Sequence, residues 1–169
     1  MLIRLDNGVA VLIRPIAPED KAMLAAGMAG LSEQSVYQRF LSPKAELSAD
    51  ELRYLTEVDF RDHVAYVAVL PGPPDVLVGV GRWIRLRDDP EAAEIAFAVS
   101  DALQRQGLGT ALAERLADAA RERGVRRFVA TMLPDNVGAH RLFARVAQER
   151  ETAVDGQLHE LRGAIRPAA

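Results

Sequence analysis

A chain of 169 residues, 49% hydrophobic and 27% charged, is most simply one domain with a core large enough to need no staples. A net charge of −3 without a basic tail argues against nucleic acid as a partner, and no apolar run approaches the roughly 20 residues of a membrane helix. There are no cysteines, which fits a reducing cytoplasm and excludes thiolate zinc sites and cysteine-linked intermediates.

The opening residues 1–8 lack the unbroken apolar segment of a signal peptide. Residues 1–16 read as a hairpin: Leu2–Leu5 and Val9–Ile13 flank Asp6-Asn7-Gly8, and Asn-Gly is a strong turn signal. Pro15 to Asp20 ends the pairing. Pro18 suits a first helical turn, with Glu19 and Asp20 complementing its dipole, so a helix is expected over about 18–29. A second helix is expected over Ser32–Phe40, with Ser32 and Ser35 as caps and Ser42-Pro43 as its interruption. Ser48 and Glu51 have capping-box spacing and start a third helix that carries Leu52, Tyr54 and Leu55. This helical stretch can form one wall of a cleft.

His63–Leu70 and Val76–Arg87 read as antiparallel strands around the turn at Pro71–Asp75, with Gly79 and Gly81 thinning one face. A further turn at Arg87–Pro90 leads into Glu94–Val99. Side chains alternate along a strand. Ile95, Phe97 and Val99 therefore make one bulky face, and Ala92, Glu94, Ala96 and Ala98 make a smooth one with a single acid. Such a face suits a narrow ligand groove, although Glu94 could equally be a solvated strand end.

Leu108, Leu112, Leu116 and Ala119/Ala120 give the run over 110–123 an amphipathic pattern, and Gly124 ends it. Arg127–Met132 is a strand, so strand, helix and strand form a parallel crossover. Pro134-Asp135-Asn136 opens a helix to about Val146, and 149–165 reads as one or two strands around Asp155-Gly156.

The turn at Leu103–Leu112 sits between strand and helix, where glycines and unpartnered helical N–H groups favour an anion. A P-loop fails because no lysine follows Gly109. A dinucleotide fingerprint fails because its third glycine falls on Leu112. Gln104-Arg105-Gln106-Gly107-Leu108-Gly109 fits a third pattern, Gln/Arg-x-x-Gly-x-Gly/Ala, and here the chain resembles the GNAT superfamily of acyl-CoA-dependent N-acyltransferases. The element order agrees. Asn136, Ala139, Leu142 and Phe143 match the family's Asn-x-x-Ala-x-x-Leu-Tyr helix, with Phe in place of Tyr. A narrower resemblance, to the acyltransferase domain of bacterial Pat-type protein lysine acetyltransferases, rests on three stretches. These are Arg14–Asp20, Leu31–Phe40, and Leu55–Asp59 with His63-Val-Ala. Those enzymes often carry a fused cyclic-nucleotide-binding or acyl-CoA-synthetase-like domain, and these 169 residues hold neither.

The resemblance implies an α+β fold with a mixed, mostly antiparallel sheet flanked by helices over the whole of 1–169. It implies direct transfer of an acetyl group from acetyl-CoA to an amine, either a protein lysine or a small molecule, with no metal, in a monomer or homodimer. A lysine-like amine at pH 7 is neutral in only about one molecule in 2,500, so a general base helps. Glu94 is the candidate base and Glu91 the reserve. Backbone N–H groups near Phe97 and Val99 would face the thioester oxygen. The pyrophosphate would sit on the turn of Gln104, Arg105, Gln106, Gly107, Leu108, Gly109 and Thr110. Arg105 would add charge there, or be an ordinary surface arginine. Asn136 would bond the pantetheine arm, cap its helix, or do both, with Ala139 and Phe143 beside it. Phe143 cannot protonate the leaving thiolate, which leaves Tyr37, Tyr54, Tyr66 or water. Two non-enzymatic alternatives are a CoA-binding sensor and a nucleotide-binding module.

Overall fold

The computed structural model describes residues 1–42, 44 and 46–168, with nothing said of the side chains of 150–152 and 155. Eight strands form one sheet in the order β1-β2-β3-β4-β5-β6-β8-β7. They are β1 Leu2–Arg4, β2 Ala10–Pro15, β3 His63–Leu70, β4 Val76–Arg85, β5 Ala92–Val99, β6 Arg127–Met132, β7 Ala147–Asp155 and β8 Leu158–Ile165. The helices are α1 Lys21–Ala29, α2 Glu33–Phe40, α3 Ala49–Thr56, α4 Leu108–Glu122 and α5 Val137–Val146. β5 and β6 pair in parallel across α4, and every other neighbouring pair is antiparallel.

The expected elements form, with boundary shifts. Pro18–Asp20 is a 3-10 turn before α1, and β4 stops at Arg85. α4 begins at Leu108, the first residue of the apolar repeat and two before the expected start at 110, with Gly107 as its left-handed N-cap. Ser32 caps α2, and Ser48 with Glu51 forms the capping box of α3. The interruption expected at Pro43 lies outside the described residues.

The sheet separates two helical layers. Val64, Tyr66 and Ala68 of β3 join Trp83, Ile95 and the apolar stripe of α4 in the main core, with Phe143 and Val146 of α5. The alternate residues Ala65, Val67 and Val69 form a second cluster with Met23 of α1. Leu112 and Leu116 lie over Gly79 and Gly81, the thinned face of β4, and the buried Trp83 indole donates to the Leu116 carbonyl at 3.2 Å. On the other side, Asp20 accepts both Arg14 guanidinium nitrogens at 2.8 Å and the Ala17 N–H at 2.8 Å. That pair holds the start of α1 against the end of β2.

Candidate active site

β5 and β6 pair only at Ala92–Arg127, Ala93–Phe128 and Glu94–Val129. Beyond Glu94 the two strands part, while β5 stays paired to β4 as far as Val99. Ser100 N–H donates to the Val78 carbonyl and Leu86 N–H to the Ala92 carbonyl. Antiparallel bonding alternates, so the even residues of β5 bond to β4 and the odd ones turn their N–H and C=O the other way. Phe97 and Val99 therefore present backbone N–H groups to the gap between β5 and β6. Their side chains pack on the main core.

The glycine-rich turn closes one end of this gap. Arg105 has φ 59 and Gly107 has φ 86, two left-handed residues in three. Gly107 tolerates that geometry, while for Arg105 it is an uncommon conformation. Gln106 accepts the Asp6 N–H at 3.2 Å, so the first hairpin braces the turn. Among the described residues, no N–H from Arg105 to Thr110 donates to a protein acceptor. Six adjacent donors at a helix start form a cradle for an anion. Arg105 is exposed beside it, and the Leu108 side chain is fully buried, leaving only its backbone to a ligand. A Cβ on Gly109 would stand 3.0 Å from Leu142 Cδ1, so glycine lets α4 approach α5.

Asp101 ties this turn to α2. Its carboxylate accepts from Ser32 N–H (2.9 Å), Ser32 Oγ (3.1 Å), Ser35 Oγ (2.5 Å) and Gln104 Nε2 (3.3 Å). The Ser35 bond above all keeps it below the usual carboxylate range. Gln104 Nε2 also donates to the Val99 carbonyl at 3.1 Å. The Gln104 side chain thus braces the end of β5. Asn136 caps α5, its Oδ1 accepting Ala139 N–H at 3.1 Å and its amide nitrogen remaining as a donor. Phe143 is 2% exposed, inside the core. Tyr66 is buried under Arg115 of α4, while Tyr37 and Tyr54 are exposed.

The smooth face of β5 lines a cavity of about 50 Å3 between the sheet, α1 and α2. Ala96, Ala98 and Val80 form its floor, and Leu24, Met28 and Phe40 form much of its wall. Arg82 pairs with Ala96 and Ile84 with Glu94 in the β4–β5 register, which places Glu94 diagonal to Arg82 on this face. Glu94 itself is exposed. Arg82 is 3% exposed, and its Nη1 donates to the Leu55 carbonyl (3.0 Å) and to His63 Nε2 (2.9 Å). Burial, then the nearby Arg39 charge, pushes Arg82 down to about 9.

The family model for the acetyltransferase (GNAT) family matches residues 30–147. The chain belongs to that family. Acetyltransferase Pat of Mycolicibacterium smegmatis is 31% identical over 144 residues, 85% of this chain and 43% of that protein. The chain therefore spans less than half of that relative's length. The GNAT domain of S. lividans PAT superposes with a TM-score of 0.88 at 30% identity, covering 98% of this chain and 96% of that one. The yncA protein of Salmonella typhimurium, solved with its cofactor acetyl-CoA, has a TM-score of 0.72 at 18% identity, over 94% of this chain and 96% of that one. That last likeness is one of fold.

In this GNAT chain the structure brings Glu94, the Phe97 and Val99 backbone and the 104–110 turn to one gap, with Asn136 at the start of α5, the helix packed beside the turn. Glu91 stands apart at the start of β5, paired with Arg126 and Arg127. Sequence reasoning missed His63, Arg82, Arg39 and Asp101. Arg82 had a legible signal, as the one charge inside the apolar run Val76–Ile84. His140 and His159 meet edge to face, with ring centroids 5.7 Å apart.

Proposed function

We propose that the domain transfers an acetyl group from acetyl-CoA directly to an amine, a small molecule or a protein lysine. The observation that carries this reading is the parting of β5 from β6 beside six unpartnered N–H groups. A thioester arm can lie in the gap with its carbonyl oxygen toward the Phe97 and Val99 N–H groups, where the growing negative charge is stabilised. The pyrophosphate lies on the 105–110 cradle with Arg105 beside it, and the Asn136 amide donates to the pantetheine arm.

The amine nitrogen attacks the thioester carbon, the C–N bond forms and the C–S bond breaks. Glu94 takes the amine proton, directly or through water. The thiolate takes its proton from water, since Phe143 has none to give and no tyrosine replaces it in the gap. No metal has a role in this reading. A cytoplasmic location, supported by the cysteine-free sequence alone, and a monomer or homodimer complete it.

A CoA-binding sensor without transfer is a second reading, favoured by the buried Phe143. One panel separates them. Acetyl-CoA is expected to raise the melting temperature, and lysine peptides or small amines to release CoA. Binding without release across the panel selects the sensor. A shift by ATP or NAD but not by acetyl-CoA overturns both.

A further inference from the structure

The cavity on the smooth face of β5 contains two guanidinium groups and no carboxylate paired with either. Arg39, in the last turn of α2, is half-buried with its guanidinium 4.9 Å from the Phe40 ring centroid. Among the described residues it makes no hydrogen bond and no ion pair. Arg82 uses only Nη1, for Leu55 and His63, so its Nε and Nη2 donors are unspent. Burial lowers the pKa of both arginines, and their charges repel across the cavity. Glu94 is the acid whose charge reaches Arg39, and it remains exposed without bonding to it.

Charged groups taken out of water need partners. Two like charges opening on one space leave that need unmet, and an anion meets it. Guanidinium forks match carboxylates in a bidentate way. At about 10–15 Å3 per water-sized probe, a cavity of about 50 Å3 admits a carboxylate with two or three carbons. The remaining walls are apolar.

We propose that this cavity is a carboxylate subsite, in which Arg39 and Arg82 hold the carboxylate of a small acceptor such as an amino acid. The inference rests on the acetyl-transfer reading and narrows its acceptor to amines that carry a negative charge. It also sets direction. Ala96, the register partner of Arg82, is two residues along β5 from Glu94, so a carboxylate at the arginines leaves the amine of a short amino acid toward Glu94.

The test compares kcat/KM for free amino acids with that for their amides, which keep the amine and lose the carboxylate. The amide has the larger neutral fraction at pH 7, so chemistry alone favours it. A preference for the acid of at least about tenfold is expected in the wild type, the scale of a charge-assisted bond. In Arg39→Gln the ratio falls toward one, and Arg39→Lys restores part of it. Arg39 makes no hydrogen bond in the fold, and an unchanged melting temperature for the variant keeps the comparison clean.

Equal rates for acid and amide overturn the subsite while leaving acetyl transfer intact. So does faster transfer to a lysine peptide than to any free amino acid. Succinyl-CoA outperforming butyryl-CoA with an uncharged amine assigns the carboxylate to the acyl chain instead and overturns the acceptor assignment. If nothing is acetylated, the transfer reading fails separately, and calorimetric titration with N-acetylalanine and its amide still decides the subsite. Binding of the acid alone, lost in Arg39→Gln, supports it. Equal binding, or none, overturns it.

Discussion

Arg82 Nη1 stands 2.9 Å from His63 Nε2, and an arginine has only protons to offer there. His63 must accept, so its own proton is on Nδ1 and the ring is neutral. Burial first, and the Arg82 charge second, push its pKa down from 6.5 to about 4.

The sign of the pH effect follows. Between about pH 6.5 and 4 the unfolded chain protonates this histidine and the folded chain does not, so stability is full above 6.5 and declines as pH falls. Allowing for partial exposure, the loss is on the order of 1–2 kcal/mol. Denaturant titrations across that range should show it in the wild type and a smaller slope in His63→Gln. Equal slopes would place the proton uptake elsewhere.

Glu94 is exposed at the edge of the gap, the arrangement of a base that exchanges protons with solvent. Glu94→Gln should lower kcat by about 100-fold or more and leave the acetyl-CoA dissociation constant within about twofold. Unchanged kcat would remove Glu94 from the chemistry.

Asn136 serves its helix and, in the proposed mechanism, the cofactor. Asn136→Ser keeps a capping oxygen, and Asn136→Ala loses about 1 kcal/mol of stability with the cap. Both variants should bind acetyl-CoA more weakly, because both lose the amide donor. Full affinity in Asn136→Ser would make this residue a cap and nothing more.

The cradle depends on backbone shape. Gly107 at φ 86 becomes strained with any Cβ, so Gly107→Ala should cost about 1 kcal/mol in chemical denaturation. It should also weaken acetyl-CoA more than it weakens the fold. Gly109→Val presses on Leu142 and should cost about 1–3 kcal/mol through overpacking between α4 and α5.

Asp20 holds the cavity wall in place. Its bond to Arg14 keeps its pKa below 3.8, so its contribution is present at neutral pH and lost as pH falls through that region. Asp20→Asn should lower stability by about 1.5–3 kcal/mol, the range for bonds to charged groups, and flatten the acid limb of the denaturation profile.

Much of this was legible because local chemistry and global fold agree. Asn7-Gly8, Ser48 with Glu51, and the parity of Ala92–Val99 each dictate an element by themselves. The turn at 104–110 was legible because glycine spacing and strand-to-helix context coincide. The cavity chemistry was not. Arg39, Arg82 and His63 are far apart in sequence, and only strand register and the packing of α2 bring two cations and a neutral imidazole together. Nor could the sequence separate the roles of Gln104, whose motif position suggested a ligand contact and whose side chain braces Val99 and Asp101.

The Asp101 carboxylate has a consequence for motion. It fastens the first turn of α2 to the loop that leads into the cradle, and Arg39 rides on the last turn of that same helix. The proposed phosphate seat and the proposed carboxylate subsite are thus joined through one short helix fastened at Asp101. If ligands at the two proposed sites favour different positions of α2, each would change the affinity for the other by the same factor in both directions.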